Sequence, residues 1–219
     1  MAKKFQCPIC NEYADEFRPF GLTKRKNAQC PNCGSLERHR LAWCFFRDKT
    51  NLFDGEPKVL LHVAPERIMS KKVQDIPGID YLSADLDPAM AMVQMDLTDI
   101  QFPDETFDII LCSHVLEHIP DDRKAMSEMR RVLKTGGWAA VQVPVYGETT
   151  YEDFSITAPE EREKAFGQKD HVRKYGVDLQ DRLHAGGFKV ARIRYANSIS
   201  PELRELYALR NQDIFYCTK

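Results

Sequence analysis

The run Phe107-Asp108-Ile109-Ile110-Leu111-Cys112-Ser113-His114-Val115-Leu116-Glu117-His118 decides the fold. Its first six residues read as a short apolar strand, and polar side chains take over at Ser113. Upstream, Val59-Leu60-Leu61-His62-Val63 is a similar run closed by Ala64-Pro65-Glu66, where Pro65 is expected in the first turn of a helix. Tyr81 to Ala84 is a further strand ending in Asp85-Leu86-Asp87-Pro88, and Val93-Gln94-Met95 leads into Asp96. Downstream, Asp121 to Lys134 is amphipathic, with Met126, Met129, Val132 and Leu133 at helical spacing, and should stop at Gly136-Gly137. Trp138 to Val143 is strand again. Strands alternating with helices predict an α/β fold, a mostly parallel sheet with helices on both faces. Ligands in such sheets bind beyond the carboxyl ends of the strands, where the strand order reverses. His62, Asp85, Asp96 and Ser113 through His118 all fall at those ends.

Composition separates this region from what precedes it. The 219 residues carry 31 Lys and Arg, 33 Asp and Glu and seven cysteines, for a net charge of −2. Residues 1–50 hold ten bases against five acids, and residues 51–219 hold 21 against 28. Five cysteines precede residue 50, leaving Cys112 and Cys217 beyond it. No run approaches the ~18 apolar residues of a membrane span. The N-terminal Met-Ala-Lys-Lys-Phe-Gln-Cys has no apolar signal core, so a reducing, cytoplasmic setting is expected, with metal rather than disulfides.

Cys7-Pro-Ile-Cys10 and Cys30-Pro-Asn-Cys33-Gly34 form two matching C-x2-C pairs. Two residues between thiolates let one tight turn present both sulfurs to one ion, and two such knuckles complete a closed tetrahedral site. Cys7, Cys10, Cys30 and Cys33 are therefore the expected ligands of a structural zinc in a ribbon-like module over residues 1–50. Lys24-Arg25-Lys26 lies between the knuckles and reads as a solvated basic loop. Ser35 is expected to cap a helix whose Leu36, Leu41, Trp43, Cys44, Phe45 and Phe46 dock the module on the larger domain. Cys44 reads as a buried thiol.

From about residue 57 to the end, the chain resembles the class I S-adenosylmethionine-dependent methyltransferases of the type 11 subgroup. The resemblance rests on residues 95–110, on Ser113-His114-Val115-Leu116-Glu117-His118-Ile119-Pro120-Asp121 and on Leu133-Lys134-Thr135-Gly136-Gly137. It implies a Rossmann-like sheet of seven strands over residues 57–219, closed by Phe188 to Tyr195 and Ile214 to Cys217. It also implies cofactor roles. Asp85, with Leu86 beside it, accepts from the ribose hydroxyls. Asp96 accepts from the adenine amino group with the Leu97 backbone alongside, and Ser113, His114 and Val115 line the pocket. Where the family normally has an acidic residue and a glycine-rich loop after the first strand, this chain has His62-Val63-Ala64-Pro65-Glu66. Glu66 is the candidate partner of the cofactor ammonium.

The same resemblance puts the acceptor-side elements in residues 144–176, expected as a lid. Asp170 and His171 offer a base, His118 a second one, and Arg173 and Tyr175 are candidates to orient the acceptor. These readings imply transfer of a methyl group from S-adenosylmethionine to a small or medium-sized acceptor. The competing readings are an RNA methyltransferase that uses the basic zinc module on its substrate, and a catalytically inactive cofactor-binding or zinc-mediated interaction protein.

Overall fold

The computed structural model describes residues 4–21 and 23–219; Met1–Lys3, part of the leader reading, and Leu22 lie outside them. The chain divides into two compact units. One gathers residues up to 56 with 66–78 and 194–212, and the other comprises 57–65, 79–193 and 213–219. The sequence suggests a single boundary between residues 50 and 57. Instead, two later segments join the cysteine-rich one.

In the first unit, β1 (Phe5–Gln6) pairs antiparallel with β2 (Tyr13–Ala14), and β3 (Arg18–Phe20) with β4 (Arg25–Gln29). The two cysteine turns repeat one geometry. Asn11 N donates to Cys7 O at 2.8 Å and Gly34 N to Cys30 O at 3.0 Å. Asn11 (φ 60°) and Gly34 (φ 76°) both take the left-handed conformation that these residue types tolerate best. Helix α1 (Glu37–Lys49) follows, but Ser35 is not its cap. Leu36 N donates to His39 Nδ1 at 3.2 Å, and the Ser35 hydroxyl faces the cysteine sulfurs instead.

The fully buried Arg40 of α1 explains why the chain returns to this unit. Its guanidinium donates to the carbonyls of Ala28 and Ser35 and, 167 and 168 residues on, of Tyr207 and Ala208. A planar five-donor group suits this use, since one cation satisfies several buried acceptors. Phe45 meets Tyr195 edge-on at 5.6 Å. The apolar face of α1 thus packs on residues 194–212 of its own unit. Helix α2 (Arg67–Gln74) starts after Glu66, so Pro65 stands outside it rather than in its first turn. Pro201–Leu206 is helical as expected, with Ser200 accepting from Leu203 N.

The second unit contains β5 (Lys58–Val63), β6 (Ile79–Asp85), β7 (Val93–Gln94), β8 (Phe107–Ser113) and β9 (Leu133–Gln142), all parallel. Helix α3 (Asp122–Val132) joins β8 to β9, and Asp121 caps it by accepting from Lys124 N. The small pair β10 (Tyr151–Glu152) and β11 (Arg173–Lys174) flanks helix α4 (Pro159–Phe166). Helix α5 (Leu179–Ala185), β12 (Lys189–Ile193) and β13 (Ile214–Thr218) complete the unit. The sheet order is β12-β13-β9-β8-β5-β6-β7, with β13 as its antiparallel member.

Alternation along the strands assigns the faces. Leu61, Val63, Ile110, Cys112, Ala139 and Val141 join Met126 and Met129 of α3 and Leu179 and Leu183 of α5 in one core. Leu60, Ile109, Leu111 and Ala140 on the opposite face are buried too. Both faces are covered, as the apolar strands predict.

One boundary differs from expectation. Gly136-Gly137 does not end a helix, because β9 begins at Leu133 and runs through both glycines. The β8–β9 register shifts between Phe107 and Ile109 at that point. A Cβ on Gly137 would meet Asp108 O at 2.6 Å, so the second glycine permits the close approach of the two strands.

Candidate active site

The chain builds β5, β6 and β7 on one side of the sheet centre, then crosses to add β8 and β9 on the other. The reversal lies between β5 and β8, whose carboxyl ends mark the crevice expected to hold a ligand. Two non-glycine residues there take the left-handed conformation, Ala64 (φ 45°) after β5 and His114 (φ 58°) after β8. Each is held by a backbone hydrogen bond of 2.8 Å to a neighbouring strand, Ala64 N to Ala84 O and His114 N to Gln142 O. Such strain costs about 1–3 kcal/mol per residue and concentrates where a site requires a sharp turn. The turn after β5 is thus kept although no glycine supplies it.

Asp85 ends β6, and its Oδ1 accepts from Asp87 N at 2.9 Å. Asp96 Oδ1 accepts from Thr98 N at 2.8 Å and Thr98 Oγ1 at 2.7 Å. Each aspartate folds its own turn with one oxygen. Each Oδ2 has no hydrogen-bond partner among the described residues and remains available to a ligand. Leu97 is buried, Leu86 is exposed, and Ser113 and Val115 are half-buried. Two candidates change role. His62 is buried, with Nδ1 3.0 Å from the Tyr81 hydroxyl, and so belongs to the packing of the strands. Glu66 belongs to the cysteine-rich unit, where its Oε1 lies 3.6 Å from Arg38 Nε and 3.4 Å from His39 Nε2, so its charge is already met there.

On the acceptor side, the structure brings together residues from two distant segments. His118 Nδ1 lies 3.3 Å from Asp170 Oδ2, and the His118 and His171 rings meet edge-on at 4.6 Å. Glu117 enters the same cluster, with its Oε1 3.2 Å from His114 Nδ1. Burial pushes His171 below the ordinary histidine value, and His118 adds to the effect, so His171 stays neutral. Sequence reasoning missed Glu117. Its only signal is its place beside His118 in the turn after β8.

Arg173 and Tyr175 are framework rather than acceptor contacts. Arg173, 1% exposed, donates to the carbonyls of Leu116, Ile119 and Pro120 and to Glu152 Oε2 at 2.9 Å. Tyr175 is fully buried and donates to Asp122 Oδ2 at 2.6 Å. Burial raises the Tyr175 pKa well above its ordinary value, which removes it as a base. Arg182 closes the network on Asp122 and Glu152. Burial opposes ionisation of Asp122 and Glu152, yet the arginines outweigh it and hold both carboxyls below the ordinary range. This network clamps residues 116–120 and thereby fixes Glu117 and His118.

The four-cysteine centre is complete in the other unit. Cys7 and Cys33 sulfurs are 3.6 Å apart, and those of Cys10 and Cys30 3.9 Å. A tetrahedron with zinc–sulfur bonds of about 2.3 Å has edges of about 3.8 Å, so these two spacings fit zinc and are longer than the ~2.05 Å of a disulfide bond. The Ser35 hydroxyl lies 3.2 Å from both the Cys7 and Cys33 sulfurs. Hydrogen bonding to Cys30 and Cys33 draws the Cys7 thiol far below its ordinary range, while hydrogen bonding to Cys33 and Cys7 pushes Cys30 far above it. Four thiols so close all ionise only with a cation among them. Cys44 stands apart from the cluster, its thiol pushed up to about 12 by burial.

Residues 64–141 match a family model described as a methyltransferase domain. That segment is similar to a methyltransferase domain. The matched segment includes the turn after β5, Asp85, Asp96 and the Glu117-His118 turn. Curated relatives align with it only in part. Phosphatidylethanolamine N-methyltransferase of Cereibacter sphaeroides is 38% identical over 52 residues, 24% of this chain and 26% of that protein. The chain thus spans about a quarter of that relative's length. Among solved structures, an S-adenosylmethionine-dependent methyltransferase from Mesorhizobium loti shares the fold with a TM-score of 0.56 at 14% identity, covering 82% of this chain and 98% of that one. A Burkholderia thailandensis 1,6-didemethyltoxoflavin-N1-methyltransferase, bound to its acceptor and S-adenosylhomocysteine, gives 0.50 at 15% identity, with 77% and 74% covered.

Proposed function

We propose that this chain is an S-adenosylmethionine-dependent methyltransferase acting on a small or medium-sized acceptor, and that a structural zinc ion holds its cysteine-rich unit together. The observation that carries the reading is the pair of left-handed residues Ala64 and His114 at the reversal of strand order, with the unpartnered oxygens of Asp85 and Asp96 at the neighbouring strand ends. S-adenosylmethionine, when bound, supplies a methyl carbon activated by its sulfonium.

The residues of the chain bind, orient and take a proton. Asp85 Oδ2 accepts from the ribose hydroxyls, Asp96 Oδ2 and the Leu97 backbone engage the adenine, and Ser113, His114 and Val115 line the pocket. In-line displacement needs alignment more than covalent help from the protein, so positioning supplies much of the rate. His118, oriented by Asp170 and packed on the neutral His171, receives the proton of an acceptor that must lose one. The small-acceptor preference is supported by the acceptors named for the relative and the solved neighbour, and by the acidic excess after residue 50.

A second reading, RNA as acceptor, is favoured by one feature. A cavity of about 650 Å3 in the cysteine-rich unit is lined by Lys4, Lys26, Arg204 and Arg210, with Glu205 among them. It contains no residue from the strand ends. Incubation with methyl-labelled cofactor and separate pools of small metabolites and RNA distinguishes the two. Label in the small-molecule pool, lost by about tenfold or more in Asp85→Asn, is expected, since the aspartate's charge-assisted hydrogen bonds contribute about 1.5–3 kcal/mol. Label confined to RNA overturns the small-acceptor reading.

A further inference from the structure

Unlike the other buried carboxylates and imidazoles of the second unit, Glu117 and His171 have buried atoms without a hydrogen-bond partner. Glu117 is 2% exposed and His171 3%. Both Glu117 carboxylate oxygens and His171 Nε2 are shielded from solvent without a hydrogen-bond partner, although His114 Nδ1 lies 3.2 Å from Oε1. Burying such groups unpaired costs several kcal/mol, more for a charged carboxylate, so a native fold retains them where something else answers them. Together with His118, the ligating atoms of these residues lie within 4.8 Å of one another.

We propose that Glu117, His118 and His171 form a binding site for a first-row divalent cation, distinct from the four-cysteine centre. Two imidazoles and one carboxylate suit zinc, iron(II) or manganese(II), and three protein ligands leave positions open for water or an acceptor oxygen. Asp170 supplies what such sites require next. Its contact with His118 Nδ1 fixes the ring and leaves Nε2 as the nitrogen free for the ion, as an outer carboxylate does for a metal-bound histidine. The clamp of Arg173 on the Leu116, Ile119 and Pro120 carbonyls holds the turn that carries two of the three ligands. Entry is open, because the His118 side chain is one-third exposed and that of Asp170 more than half. Ion binding at this site does not depend on the methyl-transfer reading, but it replaces the base role given to His118, whose Nε2 cannot hold an ion and accept a proton at once.

The test is metal binding by the full-length protein, with cobalt(II) and zinc(II) as probes. Cobalt at the four-cysteine centre gives intense sulfur-to-metal charge transfer. The proposed site adds a further equivalent of cobalt without increasing that absorption. Glu117→Gln and His171→Ala should each lose the additional equivalent while keeping the charge-transfer band, which also reports that the cysteine-rich unit is intact. Asp170 is exposed, so Asp170→Asn spares the fold and should weaken zinc binding at this site by about 10–100-fold. Overturning results are a wild-type protein that takes up only thiolate-bound metal, or variants that all retain the additional equivalent at unchanged affinity.

Discussion

The four-cysteine centre and the Glu117–His118–His171 cluster each gather ligating side chains within 4.8 Å, but they are finished differently. The four cysteines offer one ion a complete set of ligands. Two sulfur pairs stand 3.6 and 3.9 Å apart, all four sulfurs lie within 4.8 Å of one another, and the Ser35 hydroxyl contacts two of them. The histidine cluster has buried atoms left unanswered on one side and an exposed aspartate on the other. A closed set of ligands holds a fold together, whereas an open one leaves room for a reacting molecule. On the proposed readings the centre bears on stability and the cluster on chemistry.

Stripping the metal gives the largest effect that separates the two. Structural zinc contributes about 10–16 kcal/mol to folding in small zinc domains, so a strong chelator should unfold the cysteine-rich unit. Circular dichroism and limited proteolysis check this, and restored zinc should reverse it. Unchanged protease resistance after complete zinc removal contradicts a structural role for the centre.

Next in size is the buried clamp beneath the histidine cluster. Arg173→Met leaves Asp122 and Glu152 with less compensation and should cost about 3–5 kcal/mol in urea unfolding. A loss below about 1 kcal/mol places the stability of the 116–120 turn elsewhere. The pH dependence is smaller and has two stages. With no ion at the histidine cluster, His171 has its pKa lowered by folding, so the unfolded chain binds its proton first, and stability declines as pH falls through the ordinary value of 6.5. Asp122 and Glu152 also have lowered values. Their contribution is complete above the ordinary carboxyl range of about 4 and is lost in more acid solution. Melting temperatures from pH 8 to pH 3 should show both declines, and Arg173→Met should diminish the second.

The same contrast governs how much could be read in advance. A C-x2-C pair puts two ligands within one turn, so local sequence predicted the cysteine centre. The apolar strands and Leu179 and Leu183 were equally legible, because burial follows periodicity. Positions fixed by distant contacts were not. The donors of Arg40 reach carbonyls 167 residues away, and nothing local shows that 194–212 return to the cysteine-rich unit. Ser35 has the chemistry of a cap, but the sulfurs compete for its hydroxyl. Tyr175 lies in a polar, aromatic segment and still ends in the core, because Asp122 and the arginines satisfy its surroundings. Glu117 and His171 meet across 53 intervening residues, so only the fold reveals their cluster.

Calorimetric titration of the zinc-loaded protein with S-adenosylhomocysteine tests the central claim most directly. The methyltransferase reading predicts saturable binding at one molecule per chain, weakened about tenfold or more by Asp85→Asn and also by Asp96→Asn. Absence of heat for both S-adenosylhomocysteine and S-adenosylmethionine, in a protein shown to be folded and zinc-loaded, contradicts it.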